Sequence, residues 1–344
     1  MKLQDNVFAN SGTNPFDGDI EKGIQYDLYE AQGFVVDQSA AFPRPKGIYE
    51  HGADQLLQYF NPKAQHVLEL GSGTGIATRS LLRQNNTRQV VGVEVSPGMR
   101  EVSLYKFHQK DAKRFEEEIE QYYSCRQGEQ ILRELREYWD QFREETLPVQ
   151  TQVNFLIGDI QNIAELVNHD AFDGATANQV LHWVDISRTF AGLHQVLKKG
   201  AAVIWNSASH FYDDEQYPAE RWGFRYHRFM EDVTKELRRC DLEVVDYRSI
   251  QRPLQNLASI TKLTEERGFS TEQVGTLLLP VDFQAMLTKQ VPRLAAAAIQ
   301  NDLSLDKKQA YIDEAIFKAF RENGFPEDKY HKYDIVPIFS SVKQ

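Results

Sequence analysis

Three glycines at alternate positions, Gly71, Gly73 and Gly75, follow a short apolar run (Val67, Leu68, Leu70) and precede a helical pattern that carries Ala77, Leu81 and Leu82. Glycine at this spacing lets the backbone take positive φ and brings main-chain N–H groups close to a ligand that any Cβ would push away. An ordinary strand-to-helix turn needs one glycine, so three mark a turn built to hold a nucleotide-like molecule. Spacing narrows the choice. A dinucleotide fingerprint places its third glycine three residues after the second, and that position is Ile76. A phosphate-cradling loop would continue with Gly-Lys-Ser/Thr, and this turn does not. Glu69, just ahead of the turn, offers a carboxylate that accepts from an ammonium group and suits a cation better than a pyrophosphate.

A second acid follows at the end of the next strand. Residues Gln89 to Glu94, with valines at 90, 91 and 93, read as a buried parallel strand that stops at Glu94. An acid at the end of the second strand, about 20 to 25 residues past the glycines, is positioned to take both ribose hydroxyls of a nucleoside. Ser96-Pro97 then opens the next helix, with proline at the first helical position.

The acid followed by alternate glycines (Glu69, Gly71, Gly73, Gly75), with Glu94 next in order, resembles the first motifs of the class I S-adenosylmethionine-dependent methyltransferases. The resemblance runs from Val67 to about Ser207 and is loose in the C-terminal third, so it bears on cofactor and fold more than on substrate. It implies an α/β fold with a doubly wound, mostly parallel seven-stranded sheet of Rossmann-like type, and S-adenosyl-L-methionine as cofactor. It places Ser72, Val95 and Met99 beside the motif residues in the cofactor site. In the third strand, Val153 to Ile160, it implies that Gly158 and Asp159 reach the adenine, Asp159 taking the amino group and Ile160 packing on the ring. The fourth strand, Phe172 to Gln179, is rich in small residues and can lie close to a ligand. Its end and the residues after it, Asn178, Gln179, His182 and Trp183, would line the methionine part of the cofactor. The His182-Trp183 pair resembles the small-molecule branch that includes trans-aconitate and biotin-pathway methyltransferases.

The elements that position these residues divide the chain into an N-terminal cover (1–64), a cofactor-binding core (65–210), a sixth strand with a helical substrate cap (211–330) and a last core strand (331–344). The cover has a weakly ordered start. A helix follows with Tyr49, Ala53, Leu56 and Phe60 on one face, ending at Asn61-Pro62. In the resembling family such a segment folds over the pocket, which makes Tyr26 and Tyr29 candidates to line it beside the plainer reading of packing residues. A charged helical arm, 101–148, is inserted after the second strand with two apolar stripes, Phe115, Ile119 and Tyr122, then Ile131, Leu135, Tyr138 and Phe142. Gly128 is expected to break or bend it. The arm reads as an appendage packed on the core, as a lid, or as the arm of a homodimer, since aromatic stripes are enriched at interfaces. Asp185 caps the helix before a fifth strand, Ala201 to Ser207. Asp241 to Ile250 is read as the sixth strand, Leu257 to Asn323 as mostly helical, and Tyr333 to Val342 as the last strand.

Past Ser207 the sequence turns aromatic and basic. Arg221, Trp222, Arg225 and Arg228 are the candidate substrate-binding residues, because guanidinium grips a carboxylate bidentately. An equally economical reading makes them a surface helix paired with Glu220 and Glu231. His182, His210 and His227 are the candidate general bases for a hydroxyl or amine acceptor. For His182 a structural hydrogen bond beside the cofactor is the simpler reading, and a carboxylate acceptor needs no base at all.

Composition closes off other classes. Asp and Glu number 50 against 39 Lys and Arg, a net charge of −11 that repels polyanions, so no nucleic-acid partner is expected. Cys125 and Cys240 lie far apart without metal-ligand spacing, and neither a metal site nor a disulfide framework is expected. No run has signal-peptide or membrane-spanning length, so a soluble cytoplasmic protein without a membrane partner is expected. The expected function is methyl transfer to a small metabolite or natural product, by preference O-methylation. N- or C-methylation, and a cofactor-binding partner platform without catalysis, remain as alternatives.

Overall fold

β1 (His66–Leu70) has a hydrogen-bonded parallel neighbour on each side, β2 (Gln89–Glu94) and β4 (Phe172–Asn178). Its side chains are buried from Val67 onward, which is why the run is apolar on both faces except at Glu69. The computed structural model describes residues 20–31, 47–83, 87–108, 112–122, 126–146, 151–206, 257–282 and 331–344. β3 (Gln152–Ile157) pairs in parallel with β2, and β5 (Leu197–Asn206) with β4. β7 (His331–Lys343) runs antiparallel to β5 and to β6 (Phe269–Asp282), giving the order β3-β2-β1-β4-β5-β7-β6. The chain therefore builds outward from β1 to β3 and returns to the other side of β1 with β4. That reversal leaves a crevice at the C-terminal ends of β1 and β4, where open α/β sheets collect ligands.

Two helices precede the sheet, α1 (Ile20–Ala31) and α2 (Ile48–Leu57). After β1 comes α3 (Ile76–Leu82), and between β2 and β3 lie α4 (Pro97–His108), α5 (Ala112–Tyr122) and α6 (Arg126–Thr146). A short 3-10 turn (Ile160–Asn162) and α7 (Ile163–Leu166) follow β3. A second 3-10 turn (Leu181–Trp183) and α8 (Ile186–Val196) join β4 to β5, and α9 (Leu257–Glu265) leads into β6. Asp185 caps α8 by accepting the Arg188 N–H at 3.0 Å, as its position in the sequence predicts.

The main core gathers Leu68, Leu70, Val91, Val93, Phe190, Leu193 and Val203 under the sheet and continues to the antiparallel edge. There Trp205 stacks on Phe339 at 4.4 Å and donates its indole N–H to Ser341 at 3.0 Å. A second apolar cluster joins the arm to the N-terminus: Ile20 and Ile24 of α1, Val102 and Tyr105 of α4, Phe115 of α5, and Leu132, Leu135 and Trp139 of α6. Among the described residues, Phe115, Leu132, Leu135 and Trp139 of the arm are thus covered by helices of their own chain. Residues Leu135 and Phe142, which made the arm look like a dimerisation stripe, are wholly buried.

Two readings of the sequence need correction. Gly128 does not break the arm; it sits in the first turn of α6, where a helix has few bonds to lose, and α5 ends earlier at Tyr122. The stretch Leu257 to Asn323 is not helical throughout, since residues 269–282 form β6, so the cap is interrupted by a sheet strand. Gly268, at φ 82°, closes α9 as a left-handed cap and turns the chain into that strand. Pro337 lies one residue beyond the β5 ladder, which ends at Ile338, so its missing donor is wanted by one neighbour at most. The proposed strand at Asp241 to Ile250 lies outside the described residues.

Candidate functional site

The glycine turn leaves the C-terminal end of β1 at the crevice. All three of its glycines have positive φ: 63° at Gly71, 55° at Gly73 and 82° at Gly75. They are glycine for different reasons. A Cβ on Gly71 would stand 2.4 Å from a methyl of Val180, and one on Gly75 would stand 2.5 Å from the Phe107 ring, so these two serve packing as well as conformation. A Cβ on Gly73 would meet nothing within 4 Å. Among the described residues, Gly73 alone of the three faces open space, as a residue does when the backbone must approach a ligand.

Glu94 ties that glycine in place. One carboxylate oxygen accepts the Gly73 N–H at 2.8 Å and the other accepts the Ser96 N–H at 2.8 Å. A carboxylate offers roughly four acceptor positions, so these bonds leave capacity for a pair of hydroxyls. Burial pushes the Glu94 carboxyl above its ordinary value, opposed by the N–H groups of Ser96, Gly73 and Val95. Glu69 is also buried and accepts from the Thr78 hydroxyl. Burial pushes it up to about 8, the Thr78 bond opposes this, and the nearby Glu94 charge adds to it. A cation bound beside these two acids would favour their ionised forms and so oppose the upward shift.

Beside Glu94, Val95 is 36% exposed, and Ile157, its neighbour at the end of β3, is 46% exposed. These are the apolar surfaces open to a ring. Ile160, expected to pack on the ring, is buried in the main core. Asp159 caps the 3-10 turn through the Gln161 N–H at 2.9 Å, and the Gln161 side-chain amide lies 2.9 and 3.1 Å from its two oxygens. Gly158 is glycine because a Cβ there would stand 2.4 Å from Leu166. Met99 is buried beneath α1, where Gly23 packs on its backbone. Ser72 is buried with its hydroxyl oxygen unbonded among the described residues, pressed against Gly92.

On the other side of the crevice an amide ladder closes the ends of β4 and β5. Asn206 donates to the Asn178 side-chain oxygen at 3.0 Å and accepts the Gln179 N–H at 2.8 Å, while Asn178 donates to the Tyr49 carbonyl at 3.1 Å. The ladder holds Gln179 at φ 58°, a left-handed conformation that non-glycine residues adopt at a cost of about 1 kcal/mol or more. Tyr26 packs against Tyr49 with ring centroids 5.5 Å apart, which brings α1 to this end of the sheet. Trp183 is half-buried against the core. The side chains of Tyr29 and His182 lie outside the described residues, as do His210, His227, Arg221, Trp222, Arg225 and Arg228.

Residues that the sequence reading passed over stand behind the turn. Asp27 of α1 is wholly buried and accepts from Thr74, Lys106 and Trp139. Glu30, one turn on, accepts the N–H groups of Tyr49 at 2.9 Å and Glu50 at 3.0 Å and so caps α2, whose own N-cap residue, Gly47, has no side chain to do it. Burial pushes Glu30 up to about 8, the two N–H bonds opposing. The signal was present in the pattern: Asp27 falls on the helical face defined by Ile20 and Ile24, where a polar residue is out of place unless it is paired.

A glycine turn at the switch point of a 3-2-1-4-5-7-6 sheet, tethered by the acid that ends β2 and preceded by a second acid in β1, is the arrangement that the sequence resemblance implies. The methyltransferase-domain family's sequence model matches residues 46–274, two-thirds of the chain. The chain belongs to that family. It is a class I methyltransferase, and its methyl donor is S-adenosylmethionine. No curated protein matches the sequence. Among solved structures, the YcgJ protein of Bacillus subtilis is similar at 13% identity and TM-score 0.49, over 86% of this chain and 98% of that one. Haemonchus contortus phosphoethanolamine N-methyltransferase 2, solved in complex with S-adenosyl-L-methionine, is similar at 16% identity and TM-score 0.46, over 93% of this chain and 56% of that one. The site suits the cofactor by its own geometry: open space at Gly73, spare acceptor capacity on Glu94 and exposed apolar faces at Val95 and Ile157. Among the described residues no group of three His, Cys, Asp or Glu side chains could hold a metal, and no helix is long and apolar enough to cross a membrane.

Proposed function

We propose that this methyltransferase acts on a small molecule in the cytoplasm, and that it methylates an oxygen, by preference the carboxylate of a partly apolar acid. The observation that carries the reading is the amide ladder of Asn178, Gln179 and Asn206 at the ends of β4 and β5, with Tyr26 and Tyr49 drawn over it. Neutral amides and tyrosine rings suit a small acceptor that arrives already nucleophilic, since none of them is a strong general base at neutral pH. A carboxylate is ionised at neutral pH and asks for none.

The bound cofactor supplies a methyl group already activated on a sulfonium. This chain's residues do the rest. Glu94 would take the ribose hydroxyls while its bond from the Gly73 N–H holds the turn in place. Glu69, with Gly71 and Ser72 after it, favours the positive charge of the donor, and Val95 with Ile157 flanks the adenine. Asp159, at the end of β3, would take the adenine amino group. Asn178, Gln179, His182 and Trp183 form the methionine side, and α1 with α2 excludes water above it, so that nucleophile, methyl carbon and sulfur are held in line. Arg221, Arg225 and Arg228, with Trp222, would hold the acceptor's anionic group. A hydroxyl or amine acceptor would instead draw on His182, His210 or His227 as base.

The test is a product screen with deuterated-methyl S-adenosylmethionine against carboxylic acids, phenols, alcohols and amines, read by mass spectrometry. A labelled product that mild base hydrolyses back to the acid supports the reading. Label on nitrogen or carbon moves the acceptor atom, and cofactor binding without product from any acceptor favours a binding platform.

A further inference from the structure

We propose that Asp27 is a positioning residue for the cofactor turn: it acts through Thr74, and Trp139 of the inserted arm completes its setting. Thr74 stands between Gly73, whose N–H donates to Glu94, and Gly75, which opens α3. Its hydroxyl donates to one oxygen of Asp27 at 2.5 Å. The same oxygen accepts from the Lys106 ammonium of α4 at 3.0 Å, and the other accepts from the Trp139 indole N–H of α6 at 2.7 Å. Asp27 and Lys106 are both fully buried.

A buried ion pair is a poor way to add stability, because desolvating the two charges offsets most of their attraction. What this one does is fix geometry. Three donors from three separate elements converge on one carboxylate, and only one of them belongs to the cofactor turn. The arm encloses the pair further: the Lys106 ammonium lies 4.3 Å from the Phe142 ring centroid, and the Arg79 guanidinium of α3 lies 4.9 Å from the same ring. The arm therefore reaches the cofactor turn through a single hydrogen-bonded chain, Trp139 to Asp27 to Thr74. This gives the insertion a role that neither a free lid nor a surface appendage would have.

The inference rests on the turn binding S-adenosylmethionine, and the experiment separates the two. Binding of S-adenosylhomocysteine to the full chain is measured by titration calorimetry for wild type, Thr74→Val, Thr74→Ser, Asp27→Asn and the double variant Asp27→Asn/Thr74→Val. Thr74→Val keeps the Asp27–Lys106 pair and loses only the hydroxyl; it is expected to bind roughly tenfold more weakly, the scale of one hydrogen bond to a charged group. Thr74→Ser is expected to restore binding to within about twofold of wild type. Asp27→Asn is expected to weaken binding alone and to add little in the Thr74→Val background, because it acts through that hydroxyl. Should Asp27→Asn not fold, Trp139→Phe takes its place in the cycle. Folded Thr74→Val that binds like wild type, or losses that multiply in the double variant, overturns the inference. Wild type that binds no S-adenosylhomocysteine overturns the cofactor site itself and the inference with it.

Discussion

Replacing each turn glycine by alanine separates a residue that is glycine for the ligand from residues that are glycine for the fold. All three positions have positive φ, so each alanine carries a conformational cost of about 1 kcal/mol. At Gly73 nothing further is added, because the new methyl has no neighbour within 4 Å. At Gly71 the methyl would lie 2.4 Å from a Val180 methyl, and at Gly75 2.5 Å from the Phe107 ring, so each adds overpacking of about 1–3 kcal/mol. Binding should follow the opposite order. The Gly73 methyl fills the space that the cofactor's approach to the backbone requires, and affinity should fall at least about tenfold, or ~1.4 kcal/mol. The assay is thermal melting with and without S-adenosylhomocysteine, backed by calorimetry. Gly73→Ala should melt within a few degrees of wild type and lose the ligand-induced rise. Gly75→Ala should melt markedly lower even without ligand. A folded Gly73→Ala with wild-type affinity, or a Gly75→Ala no less stable than Gly73→Ala, would refute the division of roles.

Three further outcomes are expected. Glu69 titrates near 8 in the folded chain against an ordinary 4.5, so between those values the folded state holds a proton that the unfolded state has released. Stability should therefore fall as pH rises through that window by up to a few kcal/mol and level off above 8. Glu30, also pushed up to about 8, acts in the same direction, so Glu69→Gln should lessen the fall in chemical denaturation without abolishing it; a wild type equally stable at pH 5 and pH 8, or an unchanged slope in the variant, would contradict this. With a carboxylic-acid acceptor, His182→Asn should lower kcat/KM by less than about tenfold and leave a flat pH profile, whereas a loss of 10² or more, the scale of general-base catalysis, would make His182 the base. Replacing Arg221, Arg225 and Arg228 singly by Gln should raise KM for an acid acceptor at one of them at least, and three unchanged values would remove the guanidinium from substrate binding.

The parts of the chain that could be read without coordinates are those where one short stretch carries its own signal. Strands β1 to β5 each carry a local signal, apolar in β1 and β2 and small-residue rich in β4; the 2.8 Å bond from the Gly73 N–H to Glu94 was not foreseen, only the acid's place at the end of β2. β6 was misread because the Leu277 to Leu279 run has no period of its own and Pro280 argues against a strand; the sheet accepts that proline because β6 is the outermost strand. Ile160 was expected on the adenine because it follows Asp159, but the 3-10 turn that Asp159 caps swings it into the core and leaves Val95 and Ile157 outside. The ion pair between Asp27 and Lys106 spans 79 residues, and no local pattern joins its partners. Only the misplaced acid on the apolar face of α1 hinted at it.

The central claim is that the glycine turn and Glu94 together hold S-adenosylmethionine, and calorimetric titration of S-adenosylhomocysteine into wild type and Glu94→Gln tests it most directly. Wild type should bind one equivalent. The variant loses the carboxylate that accepts two hydroxyls and should bind ten- to a hundredfold more weakly, about 1.4–3 kcal/mol, while remaining folded. A folded Glu94→Gln that binds as tightly as wild type would contradict the account.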